Sequence, residues 1–246
     1  MSAEPMGTFF ESRAHRLLRE RVNGIDLSQF SMLTVGQFER LLAELRVLPK
    51  GEVLDVGSGT GRIAAEVAAR TGHLVTGLEI DEDMRGQARH LESARVRFQA
   101  GDFDTHGFGV QRYAAIYAVD TLYFSKDLPA LVMRLARAVR PGGRLVFFWT
   151  QCAKTEEELS RLVPFETDLG RTLRAQGIDF TALDYSGEER AYWPAYRDAL
   201  EALAAEFMAE GDAAFLEVAR QEAGLFAPLA ERGWIARYVY CVTGSG

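Results

Sequence analysis

Gly57-Ser58-Gly59-Thr60-Gly61 lies between an apolar run and a helical one. Glycines at alternate positions let the backbone approach a ligand closely, and a strand-to-helix turn presents N–H groups at the helix N-terminus. Dinucleotide-binding turns usually space their glycines G-x-G-x-x-G, the third letting helix pack on strand. Here the spacing is G-x-G-x-G, and Arg62 falls where that third glycine would stand. Eighteen positions after Gly61 comes Glu79, at the end of a second apolar run. A carboxylate there can accept hydrogen bonds from both ribose hydroxyls of a nucleoside. Taken singly, the two features also fit a ligand-free turn and a surface glutamate.

The elements that would position these groups alternate in kind. Val53-Leu54-Asp55-Val56 is a short buried-strand run, and Arg62 to Arg70 is a helix with Ile63 and Val67 four apart among alanines. Strands are expected at 73–80, 96–100, 113–119 and 145–149, with helices at 82–91 and 128–139, the latter stopped by Pro141-Gly142-Gly143. Alternation at this spacing predicts a parallel sheet covered on both faces, an α/β fold of the Rossmann-like, doubly wound kind. Upstream, 8–46 reads as helical, with Asp26 or Ser28 capping a second helix that carries Phe38, Leu41, Leu42 and Leu45. Downstream, 155–176 reads as a helix and 179–185 as a strand. Residues 188–223 form a long helical stretch, with a break near Gly211, and 234–242 a last aromatic strand.

Asp-Val-Gly-Ser-Gly-Thr-Gly after an apolar strand resembles the first motif of class I methyltransferases that use S-adenosylmethionine (SAM). In that family an acid stands at the Glu79 position, its neighbour flanks the adenine, and a helix opens just after; Ile80, Asp81 and Met84 match. Gly101-Asp102-Phe103 follows the third strand, where the family holds the adenine amino group with an acid and shields the ring with an apolar neighbour. Val139-Arg140-Pro141-Gly142-Gly143-Arg144-Leu145 is similar to the family's turn into the fifth strand. The resemblance covers about residues 50–150. It implies SAM as cofactor, S-adenosylhomocysteine as product, and no metal. It also implies cofactor binding by Asp55, Gly57, Ser58, Gly59, Gly61, Glu79, Ile80, Met84, Asp102, Phe103 and Val119. The family topology adds a seven-stranded sheet whose seventh strand runs antiparallel between the fifth and sixth.

Ligands of open α/β sheets bind beyond the carboxyl ends of the strands. The fourth strand ends at Val119-Asp120-Thr121-Leu122-Tyr123-Phe124, and in the family this loop borders both methyl donor and acceptor. Asp120 and Tyr123 are therefore the candidate catalytic residues. Asp120 could orient an amine, accept a proton, or merely cap the next turn; Tyr123 could meet the acceptor or pack beneath the loop. In the same topology the helices at 188–223 rise on the ligand-bearing edge, as a lid with the N-terminal helices. The whole chain then reads as one domain, 1–246, with an N-terminal cap (8–46), a SAM-binding core (50–150) and a C-terminal part (151–246).

Charge narrows the acceptor. The net charge is −7, and proteins that grip a phosphate backbone normally carry a basic stripe, so nucleic acid is a poor candidate. From Lys154 to Arg232 there are 8 Lys or Arg against 17 Asp or Glu, which tilts the choice toward amines, although such runs are often a solvated helical face. Trp149, Tyr192, Trp193 and Tyr196 could line an aromatic pocket or simply pack, and His106 follows the adenine loop. Neither a membrane span nor a signal peptide in Met1–Pro5 is expected, and the distant Cys152 and Cys241 read as free thiols of a cytoplasmic protein. The expected function is methyl transfer from SAM to nitrogen or oxygen of a small molecule. The alternatives are a non-catalytic SAM-binding module, an aminopropyl transferase-like enzyme and, last, a nicotinamide oxidoreductase.

Overall fold

Buried runs of valine, leucine and alanine cannot face water on either side, so the central strands of this chain must lie between layers. The computed structural model describes residues 12–245; residues 8–11 of the expected N-terminal cap and the Met1–Pro5 segment lie outside them. The strands are β1 (Glu52–Val56), β2 (Leu74–Glu79), β3 (Val96–Ala100), β4 (Tyr113–Val119), β5 (Val139–Cys152), β6 (Thr181–Asp184) and β7 (Ile235–Thr243). They form one seven-stranded sheet in the order β3-β2-β1-β4-β5-β7-β6. Strands β1 to β5 pair in parallel, whereas β7 runs antiparallel to both its neighbours, β5 and β6. This is the expected doubly wound, Rossmann-like architecture, with strand seven reversed.

Nine helices are described: α1 (Arg13–Asn23), α2 (Val35–Arg46), α3 (Arg62–Thr71), α4 (Glu82–Ala88), α5 (Leu128–Ala138), α6 (Asp168–Ala175), α7 (Ser186–Ala202), α8 (Ala204–Ala209) and α9 (Ala213–Glu231). On one face of the sheet Phe38, Leu41 and Leu42 of α2 and Val67 of α3 bury against Val53, Tyr117 and Phe148. On the other, Leu131, Val132 and Leu135 of α5 and Leu169 of α6 pack on Leu54, Ile116 and Phe147. Each such aliphatic side chain contributes about 1.5–3 kcal/mol by leaving water. A third cluster lies among helices, where Leu18 of α1 meets Trp193 and Leu200 of α7, Phe207 of α8 and Leu216 of α9.

Four local expectations are corrected. Helix α2 starts at Val35, capped by Thr34, whose hydroxyl accepts from the Gln37 N–H at 3.3 Å. Asp26 instead accepts from Arg19 Nε at 2.5 Å, and Ser28 stands at φ 48° in the connecting loop. The stretch 155–176 is not one helix. Its first part is a 3-10 turn (Glu156–Leu162), Val163 is extended as residues before proline tend to be, and α6 begins only at Asp168 behind a Thr167 cap. The lid stretch breaks at Leu203 as well as near Gly211. The fifth strand is far longer than 145–149. It takes in Pro141-Gly142-Gly143, because a Cβ on Gly143 would stand 2.6 Å from the Ala114 carbonyl oxygen and only glycine lets the strands meet there.

Candidate functional site

Strand β1 delivers the glycine turn to the carboxyl end of the sheet, and β2 holds it there. The N–H groups of Gly57 and Ser58 donate to the Leu78 carbonyl at 2.8 and 3.0 Å. Gly57 has φ 72°, and a Cβ on it would lie 2.3 Å from Thr121 Cγ2, so the loops after β1 and β4 touch through this glycine. Gly59, at φ 54°, donates its N–H to Glu79 Oε2 at 2.8 Å, while Glu79 Oε1 accepts from the Asp81 N–H at 2.9 Å. A Cβ on Gly59 would meet nothing within 4 Å. Its bare backbone therefore faces open space.

That space is a cavity of about 1110 Å³ beyond the strand ends. Every residue expected to bind cofactor lines it except Gly61, which instead packs below, at the start of α3 and against Phe98. Glu79 ends β2 and Ile80 follows it, Met84 lies on α4, Asp102 and Phe103 follow β3, and Val119, Asp120 and Tyr123 come from β4 and its loop. The loop 27–32 between α1 and α2, Trp193 of α7, and Glu222 and Phe226 of α9 form the far wall. Tyr192 and Tyr196 line a smaller adjoining cavity of about 40 Å³, whereas Trp149 packs on Tyr123 with ring centroids 4.5 Å apart. His106 sets its ring 5.1 Å from Phe108 and is not among the residues lining the large cavity.

Asp55 is buried beneath the turn and accepts from the Tyr117 hydroxyl at 2.9 Å. Burial pushes its carboxyl up to about 7; the Tyr117 hydrogen bond opposes the shift and the nearby Glu79 charge adds to it. A folded-state pKa above the unfolded value means the native chain holds the extra proton, so stability falls as pH rises from about 4 to about 7. Asp55→Asn keeps an acceptor for Tyr117 and removes the titration. It is expected to gain up to about 4 kcal/mol over the parent near pH 8 and nothing near pH 4, read from urea unfolding at both. Equal effects at the two pH values would show that folding does not raise the Asp55 pKa.

At the end of β4 the chain turns sharply, with Asp120 at φ 51°. Its carboxylate is clamped by Arg237 of β7: Nη1 donates to Oδ1 at 2.7 Å and Nη2 to Oδ2 at 2.9 Å. Arg237 is fully buried and also donates to Thr150 Oγ1 and Gln37 Oε1, each at 2.8 Å. A second acid, Glu189 of α7, lies 3.7 Å from Arg237 Nε and accepts from Trp193 Nε1 at 2.9 Å. Burial raises its carboxyl to about 7, with Arg237 pulling it down and Asp120 pushing it up. The Tyr123 hydroxyl donates to Asp120 Oδ1 at 3.1 Å and accepts from the Thr150 N–H. Its pKa is driven well above the ordinary value, first by burial and then by Asp120, so the phenol stays protonated. Asp120 is thus the bidentate partner of Arg237, and Tyr123 a donor to it.

Sequence reasoning missed Arg237, Glu189 and Glu222. A lone arginine in the aromatic run 234–242 and acids in an acidic helical stretch carry no local signal of what they face.

Residues 53–143 match the family model described as a methyltransferase domain. The sterol 24-C-methyltransferase ERG6B of Gibberella zeae is 30% identical over 145 residues, covering 55% of this chain and 38% of the relative. The O-methyltransferase cnsE of Penicillium expansum is 34% identical over 117 residues, covering 44% and 42%. The chain thus spans about two fifths of the length of these fungal relatives. A solved structure of Haemonchus contortus phosphoethanolamine N-methyltransferase 2, bound to phosphomonomethylethanolamine and S-adenosylhomocysteine, superposes with a TM-score of 0.77 at 16% identity, covering 99% of this chain and 61% of that one. The methyltransferase-domain match over 53–143 is therefore set in a chain with the fold of class I SAM-dependent methyltransferases.

Proposed function

We propose that this protein transfers a methyl group from SAM to nitrogen or oxygen of a small-molecule acceptor, with an amine favoured. One observation carries the reading. The bare backbone of Gly59 and the Glu79 and Asp102 carboxylates share a single cavity, which continues past the end of β4 to a wall of helices. At about 1110 Å³ it exceeds the roughly 300–1,000 Å³ of a pocket for one drug-sized ligand, which leaves room for an acceptor beside the nucleoside.

The residues suit that cofactor. Glu79 uses one lone pair on each oxygen for its own loop and keeps others for ribose hydroxyls. Ile80, 62% exposed within the cavity, Met84 and Phe103 offer apolar surface for a base beside the Asp102 carboxylate. SAM, when bound, supplies an electrophilic methyl on a sulfonium, so the protein's part is alignment and exclusion of water. Asp120 is held by Arg237 and takes the orienting role rather than that of a free base; Tyr123 fixes its rotamer. The helices between β6 and β7 serve as the lid, the segment 50–150 holds the donor, and 1–246 works as one domain. The net charge of −7 fits a small acceptor better than nucleic acid. Among the described residues no helix is long and apolar enough to cross a membrane. The free thiols of Cys152 and Cys241 suit a cytoplasmic setting.

The pairing of Asp120 with Arg237 also favours one rival, a non-catalytic SAM-binding module, because it leaves no unpaired carboxylate at the end of β4. Calorimetry with S-adenosylhomocysteine, and with NADH as control, tests binding. Incubation with labelled SAM and fractionated metabolite extract, followed by mass spectrometry, tests transfer. Heat with the nucleoside and a labelled product are expected. Heat without any product would support the rival, and absence of heat would remove both.

A further inference from the structure

Most acids of the helical lid are satisfied at the surface. Glu201 pairs with Arg220 at 2.6 Å and Glu231 with Arg197 at 2.9 Å. Glu222 differs. It flanks the buried seam of α9, one helical turn before Phe226, and lines both the large cavity and the small one beside it. It is half-buried, and among the described residues it has no hydrogen-bonding or ion-pairing partner. Burial shifts its carboxyl upward, and among the described residues no cation pairs with it to offset the cost. Arg19, which lines the small cavity, is engaged by Asp26. A second polar group is left over in the same place: Ser31 Oγ is buried without a hydrogen-bond partner and belongs to the wall of both cavities.

The surroundings are aromatic. Trp193 and Phe226 stack with centroids 4.5 Å apart at 27°, and both line the large cavity. A partly desolvated carboxylate beside aromatic rings attracts a ligand cation through its charge and through the ring quadrupoles. It repels a carboxylate or phosphate. We infer that this corner is the subsite for the ammonium group of the acceptor, its charge held by Glu222, its substituents by Trp193 and Phe226, and its polar tail within reach of Ser31.

This assignment rests on the proposed transfer reaction for the word acceptor, but its test does not require turnover. Choline and 3,3-dimethylbutan-1-ol have the same shape and differ only in a quaternary nitrogen against a carbon, and choline's nitrogen has no site left to methylate. Both are titrated into the full chain with saturating S-adenosylhomocysteine, whose own binding is measured first. The parent is expected to prefer choline by at least roughly tenfold, Glu222→Gln to lose that preference, and Phe226→Leu to weaken it while keeping the carboxylate. A parent that binds the two equally, binds neither, or prefers the neutral alcohol overturns the subsite. So does a Glu222→Gln variant that keeps the preference. If S-adenosylhomocysteine itself fails to bind, the transfer reading falls, and the choline comparison without it still decides the cation site. Should Glu222→Gln fail to fold, the parent's preference and Phe226→Leu decide the matter.

Discussion

Arg237→Met is expected to lower the unfolding free energy by about 3–5 kcal/mol, the usual cost of removing one member of a buried ion pair. The guanidinium is fully buried and joins five elements at one point: β7, the loop after β4, β5 through Thr150, α2 through Gln37, and α7 through Glu189. Methionine fills much of the same volume, so packing is largely kept and the loss reports electrostatics. What it leaves behind is two largely buried acids, Asp120 and Glu189, stripped of their cation. The double variant Arg237→Met, Asp120→Asn removes one of those orphans and should recover part of the deficit. Urea unfolding near neutral pH checks both. A deficit below about 1 kcal/mol would mean the cluster is open to solvent and the ion pair weak.

Glu79→Ala is expected to weaken S-adenosylhomocysteine binding by about 10- to 150-fold, since a hydrogen bond to a charged group is worth roughly 1.5–3 kcal/mol. Two effects act together. The proposed acceptor for the ribose hydroxyls disappears, and the N–H groups of Gly59 and Asp81 lose the carboxylate that now fixes the loop. Glu79→Gln separates them, because its carbonyl oxygen can still accept from one N–H while the charge is gone; an intermediate affinity is expected. Glu79 is half-exposed at a strand end, so thermal unfolding should move little. Calorimetry is the measurement. A variant that binds like its parent would show that the sugar lies elsewhere.

The sheet was legible because its central strands are buried on both faces and read as near-continuous apolar runs, with turn residues marking their ends. Local pattern failed where one residue overrode its neighbours. Pro164 splits a stretch whose leucines otherwise suit a helix, and Gly143 extends β5 by allowing contact with β4 that no periodicity announces. The cavity wall at the strand ends was readable because its residues sit at fixed offsets from those ends. The wall around Arg237 and Glu222 was not. Arg237 and Asp120 are far apart in sequence and meet only because β7 inserts beside β5; Glu222 reaches the cavity by the phase of α9. Such encounters are products of topology.

The contact between Gly57 and Thr121 has a consequence for any chemistry carried out between the two loops. Because the Thr121 side chain rests on the bare backbone of Gly57, a drift of either loop presses on the other, so the spacing between the two loops is set by contact. In-line displacement tolerates little error, and a shift of about 1 Å can cost two orders of magnitude in rate. The missing side chain at position 57 thus works as a spacer of zero thickness.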